Sequence, residues 1–206
     1  MWALVTDNTI TKIINNPKPL VIGDTQYSRN IFSFRWTNEE REAIGLYEVV
    51  FDNTNKKDEA YYTNTNQTFA YADGAVTASF GSPTAKALAD TLFTAQDEID
   101  GKGTEGEVAA RGLKFQKKSI VKQQAAGILQ DTDWYVTRKS DAGTAIPSAV
   151  STHRAAVRTK SNEMETAIDN AADVDALAAL YEYVNTGTEE NPVMERPLGE
   201  FPILEV

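Results

Sequence analysis

His153 is the chain's single histidine, so general-base or metal-ligand chemistry near neutral pH would start there. It falls between Val150, Arg154 and Val157 on a stretch of helical spacing, with no obvious nucleophile beside it. A Ser-His-Asp triad needs its serine presented on a sharp turn, and no Gly-x-Ser-x-Gly elbow occurs. His153 therefore reads as a partly buried helix residue. The run Gly101-Lys102-Gly103-Thr104-Glu105-Gly106 matches the dinucleotide fingerprint by letter. That loop should follow a buried strand, yet Asp97, Glu98 and Asp100 precede it and would repel a pyrophosphate. A flexible linker is the better reading.

Carboxylate pairs occur at Asp131 with Asp133, Asp169 with Asp173 and Glu189 with Glu190. Glycoside hydrolysis needs two carboxyls placed across a cleft, which spacing alone does not supply. Asp131 and Asp133 beside Trp134 would suit a sugar-stacking groove, but turn and capping roles with Trp134 in the core are the simpler account. Asp52-Asn53-Thr54-Asn55 begins like a calcium loop, and Lys56 and Lys57 break it where a glycine is required. With no cysteine in the chain, disulfides, thiolate metal sites and thiol nucleophiles are excluded. We expect no catalytic residue, no cofactor and no metal.

Acids outnumber bases 30 to 20, giving a net charge of −10 and a pI near 4.7. A nucleic-acid surface needs clustered cations, and the densest cluster here, Lys114, Lys117, Lys118 and Lys122, reads as a solvated helix face. No run of about 18 apolar residues is present, and the N-terminal stretch lacks the charged and apolar regions of a signal peptide. Neither nucleic acid nor membrane is an expected partner. The sequon Asn66-Gln67-Thr68 is taken as chance.

The elements that must position these residues change character along the chain, and the fold class expected is α+β. Residues 1–95 read as a β-rich domain with a short helix, 96–112 as a linker, 113–185 as a small antiparallel helical bundle, and 186–206 as an extended, Pro/Glu-rich docking tail. Trp2 to Val5, Thr9 to Ile14, Leu20 to Ile22 and Leu46 to Phe51 are strand-like runs. Ile31 to Trp36 alternates as a half-buried strand would, with Phe32, Phe34 and Trp36 on one face. Thr37 and Glu40 form a capping box for the short helix, and Gly45 supplies its left-handed stop. Asp73-Gly74 predicts a type I′ hairpin between Phe69 and Phe80, while Ser82-Pro83 offers a helix start.

Further on, Ile120, Val121, Gln124, Ile128 and Leu129 suggest one amphipathic stripe; Val150, Val157, Met164 and Ile168 give a second at near-heptad spacing. The second suits an intramolecular core better than a seam between subunits. Asp173 caps a third helix with Val174, Leu177, Leu180, Tyr181 and Val184 on one face. Pro192, Pro197 and Pro202 forbid a helix in the tail, where Phe201, Ile203, Leu204 and Val206 form an apolar strip suited to docking or strand addition. No repeat of 20–50 residues is visible. Trp36, Trp134 and Tyr135 are the expected core aromatics; Trp2, Phe201, Ile203 and Leu204 are the expected interface anchors.

Leu129-Gln130-Asp131-Thr132-Asp133-Trp134-Tyr135-Val136, then Ala145-Ile146-Pro147, then His153-Arg154-Ala155-Ala156-Val157-Arg158 resembles a pattern of bacteriophage tail proteins. There a leucine-rich helix leads to a Thr-Asp-Trp corner, and a proline-started helix carries an aromatic-Arg-x-x-aliphatic-Arg signature, with His153 here standing in the aromatic's place. Trp36-Thr37-x-Glu39-Glu40-Arg41-x-Ala43-Ile44-Gly45-Leu46-Tyr47-Glu48-Val49 is similar to a helix-and-strand unit of the same proteins, and the pair Tyr61-Tyr62 suits them. The matches touch most of residues 31 to 160, and the whole chain looks like tail proteins of marine, cyanophage-like tailed phages. The resemblance implies a non-enzymatic virion tail component (fibre, fibre connector or baseplate) or a soluble tail-fibre assembly chaperone. It implies other phage tail proteins as partners, a homo-oligomer, and a place in the virion tail after assembly in the host cytoplasm. A host-surface glycan is a further partner to consider, tied to Trp134 and Tyr135.

Overall fold

The computed structural model of the chain describes residues 1–204. It is a mixed α and β protein with a β-rich N-terminal half and helices toward the C-terminus, and it divides into two compact units between Thr84 and Ala85.

In the first unit, β1 (Trp2–Thr6) and β2 (Thr9–Ile14) form a hairpin whose turn residues Asp7 and Asn8 both have positive φ. That is the type I′ geometry that matches strand twist, and aspartate and asparagine tolerate it better than most side chains. A second such hairpin joins β7 (Thr68–Ala72) to β8 (Ala75–Ser79) through Asp73 and Gly74, as expected. Between them β5 (Leu46–Asp52) pairs antiparallel with β1 and parallel with β8, giving the sheet order β2-β1-β5-β8-β7. The edge strands β2 and β7 also approach each other, so the sheet curls around its own core. That core holds Ala3, Val5, Val49, Val76 and Ala78, with Ile10, Ile13, Phe69 and Tyr71 around them. Alternation along β1 and β5 sends Trp2 and Leu46 to the other face, where they join Ile14, Leu20 and Ile31.

That other face is covered by a short ladder of β3 (Leu20–Ile22) on β4 (Thr25–Tyr27), by a 3-10 turn over Arg29–Phe32, and by α1 (Asn38–Glu42). The capping box is present: Glu40 N–H donates to the Thr37 hydroxyl at 3.2 Å and Thr37 N–H to the Glu40 carboxylate at 2.8 Å. Gly45 has φ +77° and its carbonyl accepts from Val5 N–H at 2.8 Å; a Cβ there would lie 2.4 Å from the Val5 oxygen.

The stretch Ile31 to Trp36 is not the expected strand. Arg41 Nε donates to the Ile31 carbonyl at 2.7 Å, and its guanidinium also binds the Ser33 carbonyl. Carbonyls turned onto a helix cation leave no ladder to form, and Phe34 is 95% exposed. Two short strands, β6 (Tyr62–Thr63) and β9 (Thr84–Ala85), lie in the following chain, so Ser82-Pro83 opens no helix.

In the second unit, residues 96–112 are folded where a linker was expected. Thr94 and Asp97 form a second capping box on α2 (Ala95–Ile99), and β10 (Thr91–Leu92) pairs with β11 (Val108–Ala110). Next come α3 (Leu113–Gln130), α4 (Asp133–Ala142), α5 (Ser148–Asn170) and α6 (Val174–Ala179), the last capped by Asp173 as expected. The heptad stripe of α5 is buried within the unit: Val150, Val157, Met164 and Ile168 all face inward. On α3 the buried set is Leu113, Val121 and Ala125, while Ile120 points outward and Gln124 is exposed. Full burial of each Ile, Leu or Met side chain contributes about 1.5–3 kcal/mol, and Met164, Ile168 and Leu177 are each essentially sealed.

The expected tail begins inside a hairpin, β12 (Val184–Asn185) on β13 (Met194–Glu195). The chain then runs back so that Leu198 is buried and its N–H donates to the Leu180 carbonyl at 3.0 Å. Val206 lies outside the described residues. Among the described residues no helix is long and apolar enough to cross a membrane.

Candidate functional site

The segments singled out in the helical unit meet at Arg154. Placed on α5 one residue after His153, its guanidinium is buried and donates to the Leu129 carbonyl at 2.7 Å, the Thr132 hydroxyl at 2.6 Å and the Asp133 carboxylate at 2.8 Å. Leu129 lies in the last turn of α3, Thr132 is the buried corner and Asp133 opens α4. One rigid fork thus fixes the break between two helices, a geometry that a lysine ammonium cannot reproduce. The one hydroxyl proton of Thr132 is used as well, donated to the Leu129 carbonyl at 3.0 Å.

Beside this corner is a pocket of about 330 Å³ lined by Ile128, Asp131, Thr132, His153, Phe201, Pro202, Ile203 and Leu204. His153 is only 8% exposed, in keeping with a buried helix position. Phe201 and Leu204, expected as interface anchors, are half-buried walls of this pocket, whereas Ile203 is 86% exposed. Trp2, the other expected anchor, packs within the first unit. Its ring is half-buried, edge-on to Phe32 at 5.7 Å, with the Arg41 guanidinium 4.8 Å above it.

Of the expected core aromatics, Trp36 is half-buried, edge-on to Tyr27 at 5.9 Å in the core cluster of the first unit. Trp134 is a correction: it is 51% exposed. With Asp133 held by Arg154, the first turn of α4 carries Trp134 outward, stacked 3.8 Å from the half-buried Tyr135 ring and with Arg138 4.6 Å over its face. Adjacent residues on a helix point about 100° apart, so only one of two neighbours can face the core. Here neither is sealed in it.

The lysine cluster serves the fold. Lys118 pairs with Asp169 at 2.8 Å, Lys122 with Glu165 at 3.2 Å, and Lys114 donates to the Asp169 carbonyl at 2.8 Å. Residues rising by four on α3 meet residues falling by four on α5, the signature of antiparallel packing. In the glycine-rich loop the groups that would cradle a phosphate are taken by acids. Glu105 N–H donates to Glu98 at 3.1 Å, and Lys102 binds Asp97 and Asp100, each at 3.0 Å. The Thr94 hydroxyl, then the Thr94 N–H and Lys102, hold the Asp97 carboxyl down at about 2. Asp52 accepts from Thr54 N–H at 2.9 Å, a turn-forming bond. Among the described residues no group of three or more His, Asp and Glu side chains is placed to hold a metal ion.

Sequence reasoning missed both buried arginines, Arg41 and Arg154. Their flanking motifs were visible, but nothing in them signals that a cation would turn inward to cap carbonyls. Compared with protein-family models, with curated proteins and with solved structures, the chain matches none.

Proposed function

We propose that the chain is a structural component of a bacteriophage virion tail, a fibre, fibre connector or baseplate protein that acts through protein–protein contacts and catalyses nothing. The observation that supports this reading is the Arg154 fork. It joins the Thr-Asp-Trp corner to the Arg-x-x-aliphatic-Arg helix, the two segments that resemble phage tail proteins, so the likeness extends to residues that depend on each other. On this reading the helices act as a small antiparallel bundle, the C-terminal segment as a docking element, and the chain assembles as a homo-oligomer with other tail proteins in the host cytoplasm. Outward apolar groups such as Phe34, Trp134 and Ile203 supply contact surface.

Mass spectrometry of purified virions of the phage that encodes the chain tests the proposal. Presence at fixed copy number is expected. Absence from finished particles, with fibre attachment lost when the gene is deleted, would instead make it a soluble tail-fibre assembly chaperone. Absence with no effect on tails would end both readings. A host-glycan role rests on exposed Trp134 beside Tyr135 and Asp133; it requires glycan-array binding that falls at least tenfold in Trp134→Ala.

A further inference from the structure

His153 is more than nine-tenths buried and lines this pocket, and among the described residues neither ring nitrogen has a hydrogen-bond partner, although neither is wholly sealed from solvent. Of its polar neighbours, Arg154 is committed to the corner and the Thr132 hydroxyl to Leu129 and Arg154, while the Asp131 side chain lies on the pocket lining. A buried polar group is normally satisfied, so one that faces a pocket points to what the pocket receives. The pocket measures about 330 Å³, many times the share of one water, and its remaining walls are mostly apolar: Ile128, Phe201, Pro202, Ile203 and Leu204. Among the described residues no hydrogen bond ties the stretch 201–204 to the helices.

We propose that this pocket receives the phenol ring of a tyrosine from a docked polypeptide, its hydroxyl hydrogen-bonded to the His153 imidazole. The ring suits the apolar walls, and a phenol hydroxyl both donates and accepts, so it can pair with either ring nitrogen. A carboxylate or phosphate is opposed by Asp131 on the lining and by the net charge of −10. An ammonium could pair with Asp131, but its remaining donors would meet walls that are mostly apolar. The proposal deepens the docking role above and rests on it, but its test does not involve the virion.

His153 is the chain's single histidine, so its ring Cε1 proton gives one assignable NMR signal in the intact protein. p-Cresol, the tyrosine side-chain analogue, should move that signal saturably. Toluene, which lacks one neutral hydrogen bond, should bind about tenfold more weakly. Ile128→Trp fills the pocket and should abolish the shift while the melting curve stays cooperative. His153→Phe, checked for folding in the same way, should bring p-cresol down to the affinity of toluene. No saturable shift, equal binding of toluene, or tighter binding of benzylamine than of p-cresol would each overturn the proposal. A failed titration with the chain still found in virions removes the pocket and leaves the docking role; the converse result does the opposite.

Discussion

Replacing Arg154 with methionine keeps most of the stem's volume and deletes the fork. Two of its bonds, to the Leu129 carbonyl at 2.7 Å and the Thr132 hydroxyl at 2.6 Å, are shielded and charge-assisted, a class that contributes about 1.5–3 kcal/mol each. The third partner, Asp133, has a carboxylate 59% exposed, so that ion pair is discounted to under about 1 kcal/mol. Leu129's carbonyl is not orphaned by the change, because Thr132 N–H and Thr132 Oγ1 still donate to it. The expected loss is therefore near the low end of the sum, about 3 kcal/mol, or about 10 °C in melting temperature for a unit of this size. The chain has three tryptophans, and Trp134 alone lies in the helical unit. Urea denaturation followed by 19F NMR of the 5-fluorotryptophan protein reads that unit through one resonance. Arg154→Lys should recover about half of the loss, since it restores the charge but not the fork. Asp133→Asn should cost under about 1 kcal/mol. If Arg154→Met moves the Trp134 transition by less than about 1 kcal/mol, the corner does not depend on the arginine and the reasoning fails.

Gly45→Ala should destabilise the first unit by more than about 2 kcal/mol, read from the Trp2 and Trp36 resonances, because a Cβ would meet the Val5 oxygen at 2.4 Å in a left-handed backbone. Gly74→Ala, where nothing lies within 4 Å, should cost about 1 kcal/mol, the backbone penalty alone. The Tyr47 and Tyr71 hydroxyls share a hydrogen bond at 3.0 Å, and that bond, then burial and the nearby Tyr71 and Glu42 charges, raise the Tyr47 pKa to about 12. A raised folded pKa stabilises below the unfolded value of 10.0, and that stability is lost as pH rises to about 12. Ultraviolet titration should show a late phenol that moves earlier in Tyr71→Phe, while the Tyr183 hydroxyl, also raised by its hydrogen bond to Glu200, is unaffected. Leu177→Ala should cost about 2–5 kcal/mol by calorimetry, as the side chain is fully sealed.

What was legible in the sequence was what neighbouring residues decide between themselves. The Asp73-Gly74 turn, the Thr37–Glu40 box, the Asp173 cap and the buried stripe of α5 each rest on contacts within a few positions, and each is found. What depended on distant partners was not legible. The parallel pairing of β5 with β8 joins residues 27 apart, as Val49 with Val76. Ile31 to Trp36 has the alternation of a strand but loses its carbonyls to Arg41, and Trp134 has the composition of a core residue but is turned outward once Asp133 is fixed. At the candidate site the corner, His153 and the Phe201–Leu204 strip were each visible separately; only the fold brings them to one place.

The curl of the N-terminal sheet sets a limit on assembly. An incoming strand needs two ladder spacings, close to 10 Å, between the strands it enters, whereas β2 and β7 stand within 8 Å of each other where they meet. Over that span no foreign chain can be woven into this unit. Any partner that meets the unit there would have to grip it by side chains on its outside, and such a joint can be made and broken without unravelling the sheet.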